Sequence, residues 1–285
     1  MIRIPTAAAV ALAILAIAPA APARELGSAP ELHILGFSPD GRLFGFEQEG
    51  GDGVNEKGAF AIDVVERDTH RSAPGFPRGA TQLTFDSAEG DLRRAGIRGF
   101  QFSEDDPQTA STDVIRRWVR ANGRQPLAAL RLIDPGRRLG GRAITDISDT
   151  SGPVRVMERP DIIGAHPGVS LKYTITATMP VPDDPNASCR EREAAVTFPL
   201  TVRLTPEVPE HDRAAASRAP EVFRERSAVV DYVLPPKTCF LSARVTDVYR
   251  NEAGTSIAVV VAMILDVGFT DSAEYRAFVF GLPQP

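Results

Sequence analysis

"TSIAVVVAMILDVGF", Thr255–Phe269, contains nine successive apolar residues, Ile257 to Leu265. A strand with one face in water alternates apolar and polar side chains. An unbroken, β-branched run of this length belongs to a strand covered on both faces. Nine residues fall well short of the roughly 20 that a helix needs to cross a bilayer. The run therefore predicts an interior strand with a protein layer on each side. Its neighbours agree: "GVSLKYTITATMPV" (Gly168–Val181), "REAAVTFPLTVRL" (Arg192–Leu204), "SAVVDYVL" (Ser227–Leu234), "CFLSARVTDVYR" (Cys239–Arg250) and "YRAFVFGL" (Tyr275–Leu282) are β-branched and partly alternating. "PEVPEHDRAAASRAPEVF", Pro206–Phe223, interrupts them with three prolines and reads as a surface loop with one short helical turn. Residues 151–285 are thus expected to form an antiparallel β-sandwich-like half.

Residues 24–150 read as hairpins. In "ILGFSPDGRLFGFE", Ile34–Glu47, two strands flank Ser38-Pro39-Asp40-Gly41. Pro39 presets the first central φ of a turn, Asp40 suits the second, and Gly41 accepts a positive φ. Phe44 and Phe46 share one face of their strand; Phe60, Ile62 and Val64 in "GAFAIDVVE" share one face of theirs. "QEGGDGVNEKG", Gln48–Gly58, is the loop between them. "TDVIRRWVRANG", Thr112–Gly123, has a helical period, and a helix is predicted near 112–122. Val114, Ile115, Trp118 and Val119 lie on one side, Arg116, Arg117 and Arg120 point outward, and Asn122-Gly123 ends it. Secreted β-propellers repeat the Ser-Pro-Asp-Gly phrase in every blade at a period near 40 residues. Here it occurs once, with only a faint echo in "QLTFDSAEG" (Gln82–Gly90). The fold class is mainly β, a hairpin sheet with one short helix followed by a sandwich, and not a complete propeller.

"MIRIPTAAAVALAILAIAPAAPA", Met1–Ala23, has a basic residue (Arg3), an apolar stretch of about 12 residues and a small-residue terminus, the pattern of a secretory signal peptide. Cleavage is expected after Ala23, with Ala20 the neighbouring option, giving an exported chain, periplasmic or secreted, with no transmembrane segment once mature. Two cysteines, Cys189 and Cys239, lie outside any Cys-x-x-Cys motif. In an oxidising compartment they pair with each other, the alternative being two free buried thiols. A net charge of -5 gives no basic face for nucleic acid.

No nucleophile elbow, zinc helix or phosphate loop is present. His33, His70, His166 and His211 are widely separated, without metal spacing. Asp105-Asp106 and Asp183-Asp184 precede proline-containing turns, where aspartate accepts backbone hydrogen bonds, and neither is a carboxylate pair opposed across a substrate. Asp52, Asn55 and Glu56 offer oxygen ligands for a calcium ion, without EF-hand spacing. No catalytic residue and no cofactor is assigned.

The signal peptide, the hairpin at Ile34–Glu47, "AFAIDVVERD" (Ala59–Asp68), "LPPKTC" (Leu234–Cys239) and "AVVVAMILDVGFTDSAEYRAFVF" (Ala258–Phe280) together resemble an uncharacterised bacterial family of secreted proteins, a domain of unknown function. The resemblance spans most of the mature chain and is firmest at its two ends. It implies export and a common fold, and the family supplies no catalytic residues to carry over. The expected function is an exported, non-catalytic binding or interaction module of the cell envelope, its partner an unknown envelope protein or ligand. The alternatives are a periplasmic hydrolase acting on envelope material and a calcium-stabilised structural module.

Overall fold

The computed structural model describes residues 26–51, 58–80, 112–142, 144, 154–158, 171–180, 189–207, 224–266 and 271–282. The leader, Asp52, Asn55 and Glu56, the acidic pairs, His166 and His211 lie outside them. In chain order the described strands are β1 (Leu26–Ser28), β2 (Glu31–Phe37), β3 (Leu43–Gly51), β4 (Gly58–Glu66) and β5 (Arg78–Ala80). The helix α1 (Thr112–Leu130) follows, then β6 (Arg137–Gly140), β7 (Val154–Glu158), β8 (Leu171–Thr178) and β9 (Val196–Glu207). The last four are β10 (Arg226–Leu234), β11 (Cys239–Arg250), β12 (Ser256–Asp266) and β13 (Asp271–Gly281).

They form three sheets, ordered β1-β13-β12-β11-β6, β10-β9-β8-β7 and β2-β3-β4-β5. Pairing is antiparallel throughout except where β1 meets β13. The chain is mainly β, as its sequence predicts, and the sheets stack in layers rather than as blades about an axis.

The sheet containing β12 is the middle layer, and every residue of β12 is buried. Ile257, Val259, Val261, Met263 and Leu265 pack with Tyr173, Ile175, Leu200, Val202 and Leu204 of the β10-β9-β8-β7 sheet. The alternate residues Ala258, Val260, Ala262 and Ile264 pack with Phe37, Phe44, Phe46 and Val65 of the β2-β3-β4-β5 sheet. Size explains the second interface: Ala258, Ala262, Ala273 and Ala277 leave the room that three phenylalanine rings fill. Full burial of each large side chain contributes about 1.5–3 kcal/mol. The apolar run lacks alternation because neither face of β12 meets water.

Phe44 and Phe46 point to the middle layer, whereas Phe60, Ile62 and Val64 lie on the opposite face, toward α1. The register fixes this, since Phe46 sits opposite Asp63 and Phe44 opposite Val65. The helix is longer than its sequence suggests. Gly123 lies inside the helix and weakens it by about 1 kcal/mol without ending it. Pro126 also lies within the helix, where it can give no hydrogen bond to the Asn122 carbonyl. The stop comes at Arg131, whose φ is 51° and whose N–H reaches the Ala128 carbonyl at 3.3 Å. Arg116 and Arg120 are not free outward charges: they bind Glu49 and Glu47 on β3.

Beyond α1 the chain returns to β2. Phe37 N–H donates to the Asp134 carbonyl at 2.6 Å, and the Asp134 carboxylate accepts the backbone N–H groups of Gly136 and Glu252, each at 2.8 Å. The Ser38–Gly41 turn closes as its sequence requires. Gly41 N–H donates to the Ser38 carbonyl at 2.8 Å, and the Ser38 hydroxyl donates to Asp40 at 2.6 Å. Gly41 has φ 66°, and a Cβ there would stand 2.7–2.8 Å from Asn251 Nδ2, Thr255 Oγ1 and Ser256 Oγ. The β2–β3 turn therefore nests in the β11–β12 turn. Gly41→Ala is expected to cost about 1–3 kcal/mol in urea unfolding; an unchanged midpoint would contradict the nesting.

Candidate cleft at the meeting of three sheets

The interlocked turns form one end of the stack. There, turns and strand ends from all three sheets line a hollow of about 960 Å³ that is largely open to solvent. One wall holds Asp40, Arg67, Asp68 and His70; the other holds Arg224, Glu225, Arg226 and Ser227; Thr255, Phe280, Gly281 and Leu282 complete it.

The first wall is built by two turns. Asp40 accepts from the Ser38 hydroxyl and, at 3.1 Å, from Arg42 N–H. The Ser38 hydrogen bond holds its carboxyl below the usual range. After β4 the chain reverses: His70 N–H donates to the Glu66 carbonyl at 2.9 Å, and Arg67 N–H to the Arg42 carbonyl at 2.8 Å. Asp68 is shared by Arg67, at 3.3 Å, and Arg42, at 2.8 Å. The Arg67 hydrogen bond is the main cause of its lowered pKa. The Arg67 guanidinium also donates to Ser256 Oγ at 3.4 Å, linking the wall to the middle sheet.

His70 joins the wall to β13. Its ring lies 5.1 Å from that of Phe280 and engages the Val279 backbone, while Nδ1 is buried with no partner. Its φ of 54° is a left-handed conformation that histidine adopts more readily than most residues. Burial lowers its pKa below 6.5, opposed by Val279 and by the charge of Asp68. A depressed histidine pKa means that the unfolded chain takes up the proton first. Stability from this group is present above pH 6.5 and is lost as pH falls below it. In His70→Asn, which tolerates the same φ, acid urea titrations should show a smaller loss between pH 7.5 and 5; an identical slope would overturn this assignment.

The second wall begins β10. Arg226 donates to the Arg224 carbonyl at 3.1 Å. Burial lowers the pKa of Arg226, the neighbouring Arg224 charge lowers it further, and Tyr173 opposes both. Glu225 is occupied elsewhere, accepting from Thr205 at 3.2 Å and lying 3.8 Å from Arg203. The far side is tied by Leu282 N–H, which donates to the Thr255 carbonyl at 2.7 Å. The lining offers guanidinium groups, carboxylates and the two hydroxyls of Ser227 and Thr255, the chemistry of recognition by charge and hydrogen bond.

Of the residues singled out in the sequence, Ser38, Pro39, Asp40 and Gly41 belong to the turn at this cleft. Cys189 and Cys239 are bonded, with Cα atoms 5.2 Å apart. They sit at the opposite end of the middle sheet, because β11 runs its full length from Cys239 to the cleft-side turn. His33 is near Glu31, at 3.4 Å, on the exposed start of β2. Among the described residues no group of three or more His, Cys, Asp or Glu side chains could hold a metal ion. No described helix is long and apolar enough to cross a membrane. Arg67, His70, Arg224 and Phe280 carry no local signature, since the cleft gathers them across more than 200 residues. No protein-family model, curated protein or solved structure matches this chain.

Proposed function

We propose that this chain is an exported, non-catalytic binding module of the bacterial cell envelope, and that the cleft at the interlocked turns receives its ligand or partner. One observation carries the reading: three independent sheets place their turns and strand ends around a single concavity. Its Asp40 and Asp68 side chains are held in place by hydrogen bonds from Ser38, Arg42 and Arg67. Preorganised polar groups in a concave site favour binding because little ordering is required when the ligand arrives. The secretory leader supports the location.

A photoreactive residue at Ser227 should crosslink one envelope component in intact cells, while the same residue at Arg117 on α1 should not. The mature protein should be recovered from the periplasmic fraction or the medium with Arg24 at its N-terminus. Equal capture at both positions, or capture at neither, would overturn the binding reading; retention in the cytoplasm would overturn export.

A further inference from the structure

Each sheet ends in two edge strands, and five of the six are short or interrupted. β1, β5, β6 and β7 hold three to five residues each, and β2 is bulged between Ile34 and Gly36. β10 is different. Its nine residues, Arg226–Leu234, pair in unbroken register with Val196–Leu204 of β9, and among the described residues no strand pairs with its other edge. Edges of this length are ordinarily blunted by proline, lysine, a bulge or a covering segment. β10 contains neither proline nor lysine, and its register holds no bulge. Val229 and Val233 stand on its outward face, 59% and 56% exposed, two of the four exposed large apolar side chains among the described residues.

That outward face reads Ser227, Val229, Asp231, Val233, and it is complementary to itself. Suppose β10 meets a second copy of itself antiparallel, about a two-fold axis perpendicular to the sheet. The axis must then pass through one residue, because centring between two would turn the buried face of one copy outward. A centre at Asp231 sets two carboxylates against each other, and a centre at Ala228 sets Asp231 against Glu225. A centre at Val230 leaves the carboxylate against Val229, and one at Tyr232 brings in Pro235, which has no N–H. A centre at Val229 avoids all four conflicts. It sets each Ser227 hydroxyl opposite the Asp231 carboxylate of the other copy, and Val229 against Val229. Asp231 has no side-chain partner within its own chain among the described residues.

We propose that β10 is a dimerisation edge, through which two copies of this chain join antiparallel about Val229. Two four-stranded sheets become one continuous sheet. The outer N–H and C=O groups of each β10 pair with those of the other copy, and the exposed valines gain apolar neighbours. The self-complementary pattern is what selects a second copy as the occupant, since an unrelated strand has no reason to match it in reverse. In this register Val233 of each copy stands opposite Glu225 of the other. Glu225 lines the cleft, so the second copy borders the cleft's second wall. The dimer does not depend on the cleft receiving a ligand.

Sedimentation equilibrium of the full mature protein is expected to give a concentration-dependent mass reaching two chains. Val229→Lys sets two ammonium groups together on the axis and should weaken association about tenfold or more. Ile133→Lys, at an exposed apolar site beside β2, should leave association unchanged. Both sites are exposed, so each variant should keep the wild-type circular dichroism. The described chain has no free cysteine, so a new thiol reports the register. In Val229→Cys the two Cβ atoms lie about 5 Å apart across the axis, and a short bismaleimide should join the chains. In Val233→Cys the two thiols lie roughly 27 Å apart along the strands and should stay unjoined. A monomer at every concentration overturns the proposal. So does a dimer that Val229→Lys leaves intact, or a linker that joins Val233→Cys as readily as Val229→Cys. Capture at Ser227 is told apart from this dimer by mass, a doubled chain against any other, so either reading can fail alone.

Discussion

A chain in which Cys189 and Cys239 are both replaced by serine is expected to lose about 4 kcal/mol of stability, with a correspondingly lower urea midpoint. The disulfide closes a loop with a sequence separation of 50, and on the chain-entropy account a loop of that size restricts the unfolded ensemble by about this amount. Contacts other than the sulfur bridge also hold the same two segments together. Arg192 donates to the carbonyls of Pro235 and Thr238 at 3.0 and 2.7 Å, and Lys237 N–H donates to the Arg192 carbonyl at 2.9 Å. Arg190 reaches Asp266 at 2.6 Å. The loss is thus expected to leave the folded spectrum unchanged and to appear in the unfolding equilibrium alone. The wild-type protein under reductant should behave as the double variant does; a midpoint indifferent to both would show that the bridge contributes nothing.

Arg120→Met is expected to cost about 3 kcal/mol, because it strands a carboxylate inside the protein. Glu47 is only 3% exposed, on the face of β3 that turns toward α1. Arg120 Nε donates to its Oε1 at 3.0 Å, and Nη2 donates to Oε2. The guanidinium also lies 5.5 Å from the centre of the Phe60 ring. The arginine end is half exposed, so water screens part of the interaction, which places the cost at the lower limit for a broken buried pair. The double variant Arg120→Met, Glu47→Leu removes the stranded charge and should recover most of the loss. Denaturant unfolding of both single variants and the double separates the outcomes. If Arg120→Met leaves the unfolding midpoint unchanged, the buried carboxylate has another partner.

The local chemistry of the chain is legible where one short segment decides it. Pro39 and Gly41 specify their turn without outside help, and the apolar run of β12 announces two covering layers by its lack of alternation. The cysteine pairing follows from a count of two. Harder to read is anything set by what lies on the far side of a sheet. Phe44 and Phe60 each sit in an alternating strand, yet only the register of β3 on β4 sends them to opposite layers. Arg116 and Arg120 fit a solvated helix face, and the glutamates that claim them are some 70 positions earlier in the chain. Asn122-Gly123 carries a stop signal that the helix overrides, because packing of Val114 and Val119 outweighs a poor helix former. The cleft is least legible of all, having no residue pattern of its own until three sheets are stacked.

The position of β12 in the chain also sets the order of assembly. The strands of both outer sheets precede β11, β12 and β13, so a growing chain presents two apolar faces before the layer that separates them has been made. Those faces could meet each other, or another molecule, while they wait. The β11–β13 segment is joined by short connections, but its sheet is complete only when β1 and β6, made much earlier, pair with its edges. The core of the layer shared by both interfaces is thus the last to be made, and the small alanines on one of its faces leave the room that the phenylalanines of the β2-β3-β4-β5 sheet fill.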